Sequence, residues 1–148
     1  MKYLFDSNTI SDLYNTPSNQ YGNIKKRLTQ LVDSDEIAIS IVTLYELEYA
    51  YYNAPENKQV IIRNDINHLQ NNFSVVPLNI KSAGLFGHLK KQFKNSSMIN
   101  KENIKKHNID IMLASTAICE GAILVSADKI YAILQKLNNN LHVEDWTL

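Results

Sequence analysis

Residues 2–6, 36–40, 73–78 and 122–126 are short runs dominated by apolar side chains, and amphipathic or polar stretches separate them. "EIAIS" and "AILVS" are nearly continuous in their hydrophobicity instead of alternating with polar residues. That pattern fits a strand buried on both faces, which is the usual fate of strands in a parallel sheet. Strand and helix alternate along the chain, so the predicted fold is α/β: three α/β/α layers around a central, mostly parallel sheet of four to five strands. Crossovers are expected to be right-handed, and functional sites are expected beyond the carboxyl ends of the strands.

Between the strands the spacing predicts helices over residues 9–15 and 18–32, the second with Ser18 as its cap and Ile24, Leu28, Leu31 and Val32 at helical spacing. Residues 41–53 and 57–70 read as helices, the latter with Val60, Ile61, Asn64 and His68 along one face. Pro77 closes the third strand. Residues 80–94 are predicted helical, 95–106 a Lys-rich loop, 109–120 a helix stopped by Gly121, and 128–137 another helix. "LHVEDW" (141–146) holds a short edge strand. No repeat or linker is evident, so residues 1–148 are expected to form a single domain.

The chain is 45% hydrophobic, enough for a core, and its net charge is zero, which argues against coating nucleic acid by bulk charge. A single cysteine, Cys119, excludes an internal disulfide and is expected in the core. Asp6 interrupts the only apolar N-terminal stretch, and no run approaches the roughly 20 residues of a membrane span, so a cytoplasmic protein without a signal peptide is expected.

Four acids are expected at one rim of the sheet. Asp6 ends the first strand, Glu46 lies early in the helix after the second, and Asp128 follows the fourth. Asp110 begins the helix that runs antiparallel into the fourth strand, which returns it to the same edge. Each also has a structural use. Asp6 can cap a helix, Glu46 can complete a capping box with Thr43, and Asp110 and Asp128 can complement helix dipoles. Their convergence is the stronger signal. Two carboxylates about 4 Å apart repel by roughly 4 kcal/mol at an effective dielectric of about 20. Either some stay protonated or a cation joins them. An all-oxygen set without His or Cys suits Mg²⁺ or Mn²⁺, which activates water and neutralises a phosphoryl group.

In these residues the chain resembles the PIN-domain ribonucleases, and among them the VapC-type toxins of type II toxin–antitoxin pairs. "YLFDSNTIS" (3–11), "ISIVTLYELEYA" (39–50), "IDIMLASTAICEGAILVSAD" (109–128) and "VEDW" (143–146) look like the family's motifs in order. The resemblance implies a PIN-like fold and a metal site of Asp6, Glu46, Asp110 and Asp128. Asn8 and Ser126 would support it through hydrogen bonds or metal-bound water. It also implies Mg²⁺- or Mn²⁺-dependent endoribonuclease activity on RNA such as transfer RNA or other structured RNA, and a small cognate antitoxin. Asp12 and the long polar segment 95–108 depart from the family's usual pattern.

Residues 81–106 carry seven lysines against one acid, Glu102. Lys94, Lys101, Lys105 and Lys106 are candidates to meet RNA phosphates. "YELEYAYYN" (45–53) holds four tyrosines, some expected in the core and some on a surface that meets an antitoxin or a second copy in a homodimer. His68, His88, His107 and His142 lack ligand spacing, and His107 is expected to be an exposed loop residue.

Two other classes compete. A haloacid-dehalogenase-like phosphatase normally needs a second Asp two residues after the first, where this chain has Asn8. A non-catalytic RNA- or protein-binding module on the same fold would be favoured by loss of the acids, and all four are present.

Overall fold

A computed structural model describes residues 1–96 and 101–148, and the side chain of Lys101 lies outside the description. The chain forms β1 (Lys2–Phe5), α1 (Ser7–Leu13), α2 (Tyr21–Thr29), β2 (Glu36–Ser40), α3 (Ile41–Asn53), α4 (Glu56–Asn72), β3 (Ser74–Val76) and α5 (Ile80–Asn95). A 3₁₀ segment (Lys101–His107) then leads into α6 (Asn108–Glu120), β4 (Ile123–Val125), α7 (Ile130–Leu137) and β5 (His142–Glu144). The sheet has five strands in the order β3-β2-β1-β4-β5, and every neighbouring pair is parallel.

Side chains alternate across the sheet and divide the core in two. Leu4, Ala38 and Leu124 face Phe93, Ala114 and Leu134 of α5, α6 and α7. Tyr3, Phe5, Ile39 and Val125 face Ile10, Ile24, Leu44 and Ile66 of α1 to α4, together with Trp146. Trp146 packs edge-on to Tyr3 and Phe5 at 5.1 and 5.2 Å between ring centres. Its indole N–H donates to Glu144 at 2.7 Å, so the buried ring leaves no polar atom unpaired.

Several local expectations change. Gln20, not Ser18, precedes α2, because the Ser18 hydroxyl donates to Asp12 of α1 and accepts from the Gln20 N–H. That helix ends at Thr29, and Val32 lies beyond it, exposed. The packed face of α4 is Ile62, Ile66 and Leu69, whereas Val60, Ile61 and Asn64 are exposed and His68, also exposed, lies edge-on to Tyr14. The Thr43–Glu46 capping box does not form: α3 follows β2 directly, and Ser40 caps it by accepting from the Val42 N–H at 3.1 Å. Within the expected 95–106 loop, Lys101–His107 forms a 3₁₀ segment, and residues 97–100 lie outside the described residues. Cys119 is half-buried beside Asn79 instead of enclosed in the core. Gly121 ends α6 in the left-handed region at φ 61°, as its position predicts. No helix among the described residues is long and apolar enough to cross a membrane.

Candidate active site at the carboxyl edge of the sheet

β1 and β4 are neighbours in register, with Phe5 opposite Val125. The next residues of each strand therefore emerge side by side at the carboxyl edge. Asp6 caps α1: its Oδ1 accepts from the Thr9 N–H at 2.8 Å. Its Oδ2 accepts from the Ser126 hydroxyl at 2.5 Å. Ser126 Oγ in turn accepts from the Asp128 N–H at 3.0 Å, which fixes the turn after β4. The Thr9 hydroxyl closes the strand pair by donating to the Val125 carbonyl at 2.9 Å. Asp6 is thus both a cap and an edge carboxylate.

Asp6 is only 4% exposed, and its hydrogen-bond partners Thr9 and Ser126 are neutral. Burial raises its pKa above the ordinary value, and the Asp128 charge adds to this, while the hydrogen bonds from Ser126 and Thr9 pull it back.

Asp110 lies in the first turn of α6 with its side chain about one-quarter exposed. Its two oxygens have different partners. His107 Nδ1 lies 3.0 Å from Oδ2, and the Tyr131 hydroxyl donates to Oδ1 at 3.4 Å. Tyr131 comes from α7 and is 1% exposed. Burial drives its pKa far upward, and the charges of Asp110, Asp6 and Asp128 reinforce the shift. One phenol therefore lies within the field of three of the four acids. Asp128 is exposed and caps the turn into α7 by accepting from the Ile130 N–H at 3.1 Å. Glu46 joins the edge through Ser7, whose hydroxyl donates to its Oε1 at 2.8 Å.

Asn8 is exposed on the first turn of α1, and the neighbouring Ser7 makes the contact to an acid. His107 is not an exposed loop residue: its side chain is 21% exposed and stands edge-on to Phe93 at 5.7 Å. Lys94, Lys105 and Lys106 are exposed. Ser7, Thr9 and Tyr131 take part without having been expected. Ser7 and Thr9 flank Asn8 in "DSNT", a hydroxyl-rich turn that does signal them. Tyr131 reads in sequence as an ordinary core aromatic of α7.

Among the described residues, no three His, Cys, Asp or Glu side chains stand close enough to form a ready metal cage. The acids border an open edge. Their donor chemistry fits a hard divalent cation: the acids offer oxygens, and among the described residues no Lys, Arg or His pairs with Asp6. Mg²⁺ ordinarily binds through one or two carboxylates and keeps several waters, so it does not need a closed cage.

The fold is a parallel α/β/α sandwich with carboxylates just past the exits of the adjacent strands β1 and β4. The chain belongs to the PIN-domain family, whose sequence profile matches residues 3–137. No curated protein matches it in sequence. Among solved structures, it is similar to a chain of VapBC-1 from nontypeable Haemophilus influenzae at 21% identity, with a TM-score of 0.78 and all of both chains covered. VapBC2 from Rickettsia felis, bound to a DNA fragment from its promoter, matches at 24% identity with a TM-score of 0.73 and 99% of each chain covered. FitAcB from Neisseria gonorrhoeae matches at 16% identity with a TM-score of 0.77 over 97% of each chain. The fold is therefore that of the chains in these assemblies.

Proposed function

We propose that the protein is a divalent-metal-dependent endoribonuclease acting as the toxin of a toxin–antitoxin pair. The reading is supported by Asp6 and Asp128 sharing Ser126 at the adjoining exits of β1 and β4, by the contact of Asp110 with Tyr131, and by Glu46 tied in through Ser7. Mg²⁺ or Mn²⁺ bound by these four acids would neutralise phosphate charge and lower the pKa of a water. The protein's own share is orientation. Thr9 and Ser126 hold both Asp6 oxygens, Ser7 holds Glu46, and Ser126 shapes the turn that carries Asp128. Asn8, exposed on the first turn of α1, is placed to meet water or RNA.

The substrate reading is RNA, with structured RNA such as transfer RNA as the class to test. Lys94, Lys105 and Lys106 are exposed on the segments leading to Asp110, and Lys101 belongs to the same basic stretch. Partners are argued from α3 and from the VapBC and FitAB complexes that share the fold. Tyr45, Tyr49 and Tyr52 are each more than 70% exposed and follow helical spacing, whereas Tyr51 packs beneath Arg63 at 4.1 Å. Such an aromatic face suits a small cognate antitoxin or a second copy in a homodimer.

The test is cleavage of total RNA and transfer RNA by purified protein with Mg²⁺ or Mn²⁺, with EDTA, and with Asp6→Asn. Cleavage that requires the ion and is lost in Asp6→Asn supports the reading. Full activity of Asp6→Asn overturns it. Co-elution with the product of the neighbouring gene tests the antitoxin.

A further inference from the structure

Among the described residues, Asp110 is the one acid of the edge whose two carboxylate oxygens are met by side chains from outside its own helix. His107 lies just before α6, and Tyr131 projects from α7. Both partners are themselves fixed. The His107 ring stands edge-on to Phe93 of α5, at 89° and 5.7 Å. The Tyr131 ring is 1% exposed in the core cluster with Ile111, Ala114 and Leu134. Each carboxylate oxygen has two lone pairs, so one hydrogen bond on each leaves one lone pair per oxygen uncommitted to these contacts. The 3.0 Å contact of His107 and the longer 3.4 Å contact of Tyr131 together restrain rotation about the carboxylate's terminal bond.

We propose that His107 and Tyr131 are positioning residues that hold Asp110 in a fixed orientation to receive a divalent cation at the carboxyl edge. This rests on the metal-dependent reading of that edge. Neither residue is assigned contact with substrate or ion. Tyr131 supplies a neutral donor, so it orients the carboxylate without competing as a cation. His107 fixes the second oxygen from a rigid aromatic seat. Loss of an outer partner of a metal-binding residue typically lowers metal affinity or activity by roughly 10- to 100-fold.

The experiment measures Mn²⁺ binding directly, by the electron paramagnetic resonance signal of free Mn²⁺, for the whole protein and for Tyr131→Phe, His107→Asn and Asp110→Asn. Thermal melting in EDTA runs alongside. Tyr131→Phe removes one oxygen atom from a packed ring, and His107→Asn changes a partly exposed position, so two independent variants report on the same carboxylate. The expected result is Mn²⁺ binding weakened by about 10-fold in each, with Asp110→Asn weakened further. A change of the same kind away from the edge, Tyr21→Phe in α2, is expected to leave binding as in the parent. A shifted melting temperature with unchanged Mn²⁺ affinity in both variants would mean that the two residues serve packing alone, and overturns the proposal. If the parent itself binds no Mn²⁺, or Asp110→Asn binds it equally well, the metal reading of the edge fails, which is a separate result.

Discussion

The hydroxyl of Ser126 donates to the buried Asp6 carboxylate across 2.5 Å, and so joins the exits of β4 and β1, residues 120 positions apart in the chain. The same oxygen accepts the Asp128 N–H. One small side chain thus sets the position of one acid and the turn that carries another.

Removing that hydroxyl leaves a buried charge short of a donor. Hydrogen bonds to charged groups contribute about 1.5–3 kcal/mol. Ser126→Ala is therefore expected to lose about 2 kcal/mol in urea unfolding at neutral pH. Ser126→Thr keeps the hydroxyl and should recover most of the loss. A Ser126→Ala protein as stable as the parent would show that the contact contributes nothing.

Asp6 itself should destabilise the metal-free fold at neutral pH. Burial raises its pKa in the folded state above the unfolded value. Between those two values the folded state holds the proton that the unfolded state has released, so stability falls as pH rises through this window. Asp6→Asn escapes that loss and can still accept from the Thr9 N–H. In EDTA, the variant should gain on the parent as pH rises from the ordinary carboxylate range toward neutrality, and the two should converge in acid. Urea titrations at several pH values check this, and a difference independent of pH would refute it. The same variant should show no RNA cleavage.

Gly121 stops α6 at φ 61°, where a side chain is strained. A Cβ added there meets no atom within 4 Å, so the penalty is one of backbone conformation and not of collision. Gly121→Ala is expected to cost about 1 kcal/mol, with cleavage unchanged under conditions where the protein is folded.

The exposed lysines should act as counterion-releasing contacts. Each phosphate neutralised contributes about 0.7 to the slope of log affinity against log salt for single strands. Replacing Lys94, Lys105 and Lys106 with Gln is expected to lower that slope by about 2. Binding measured on Asp6→Asn protein separates affinity from cleavage. An unchanged slope removes these lysines from the RNA surface.

Much of the fold was legible because burial on both faces leaves a direct mark on composition. "EIAIS" and "AILVS" have few polar residues because neither side of a central parallel strand meets water. The stop after α6 was legible in Gly121 for an equally local reason. Helix starts were less so. Ser18 and Thr43 both have capping chemistry, but Ser18 bonds back to Asp12 of α1, and α3 starts at Ile41, directly after β2, with Ser40 as its cap. On α4, Val60 and Ile61 are apolar yet exposed, so composition alone misjudged its packed face.

The sequence by itself placed Asp6 and Asp128 just past strand ends and Asp110 at the start of the helix that runs back into the fourth strand, because strand ends and helix direction are local features. Only the tertiary structure decided which groups hold them. Ser126 meets Asp6, Ser7 meets Glu46, and His107 and Tyr131 take separate oxygens of Asp110. Apart from His107, these partners lie tens of positions or more from their acids. A hydrogen bond works only within about 3.5 Å, so which pairs form depends on packing geometry that no local pattern records.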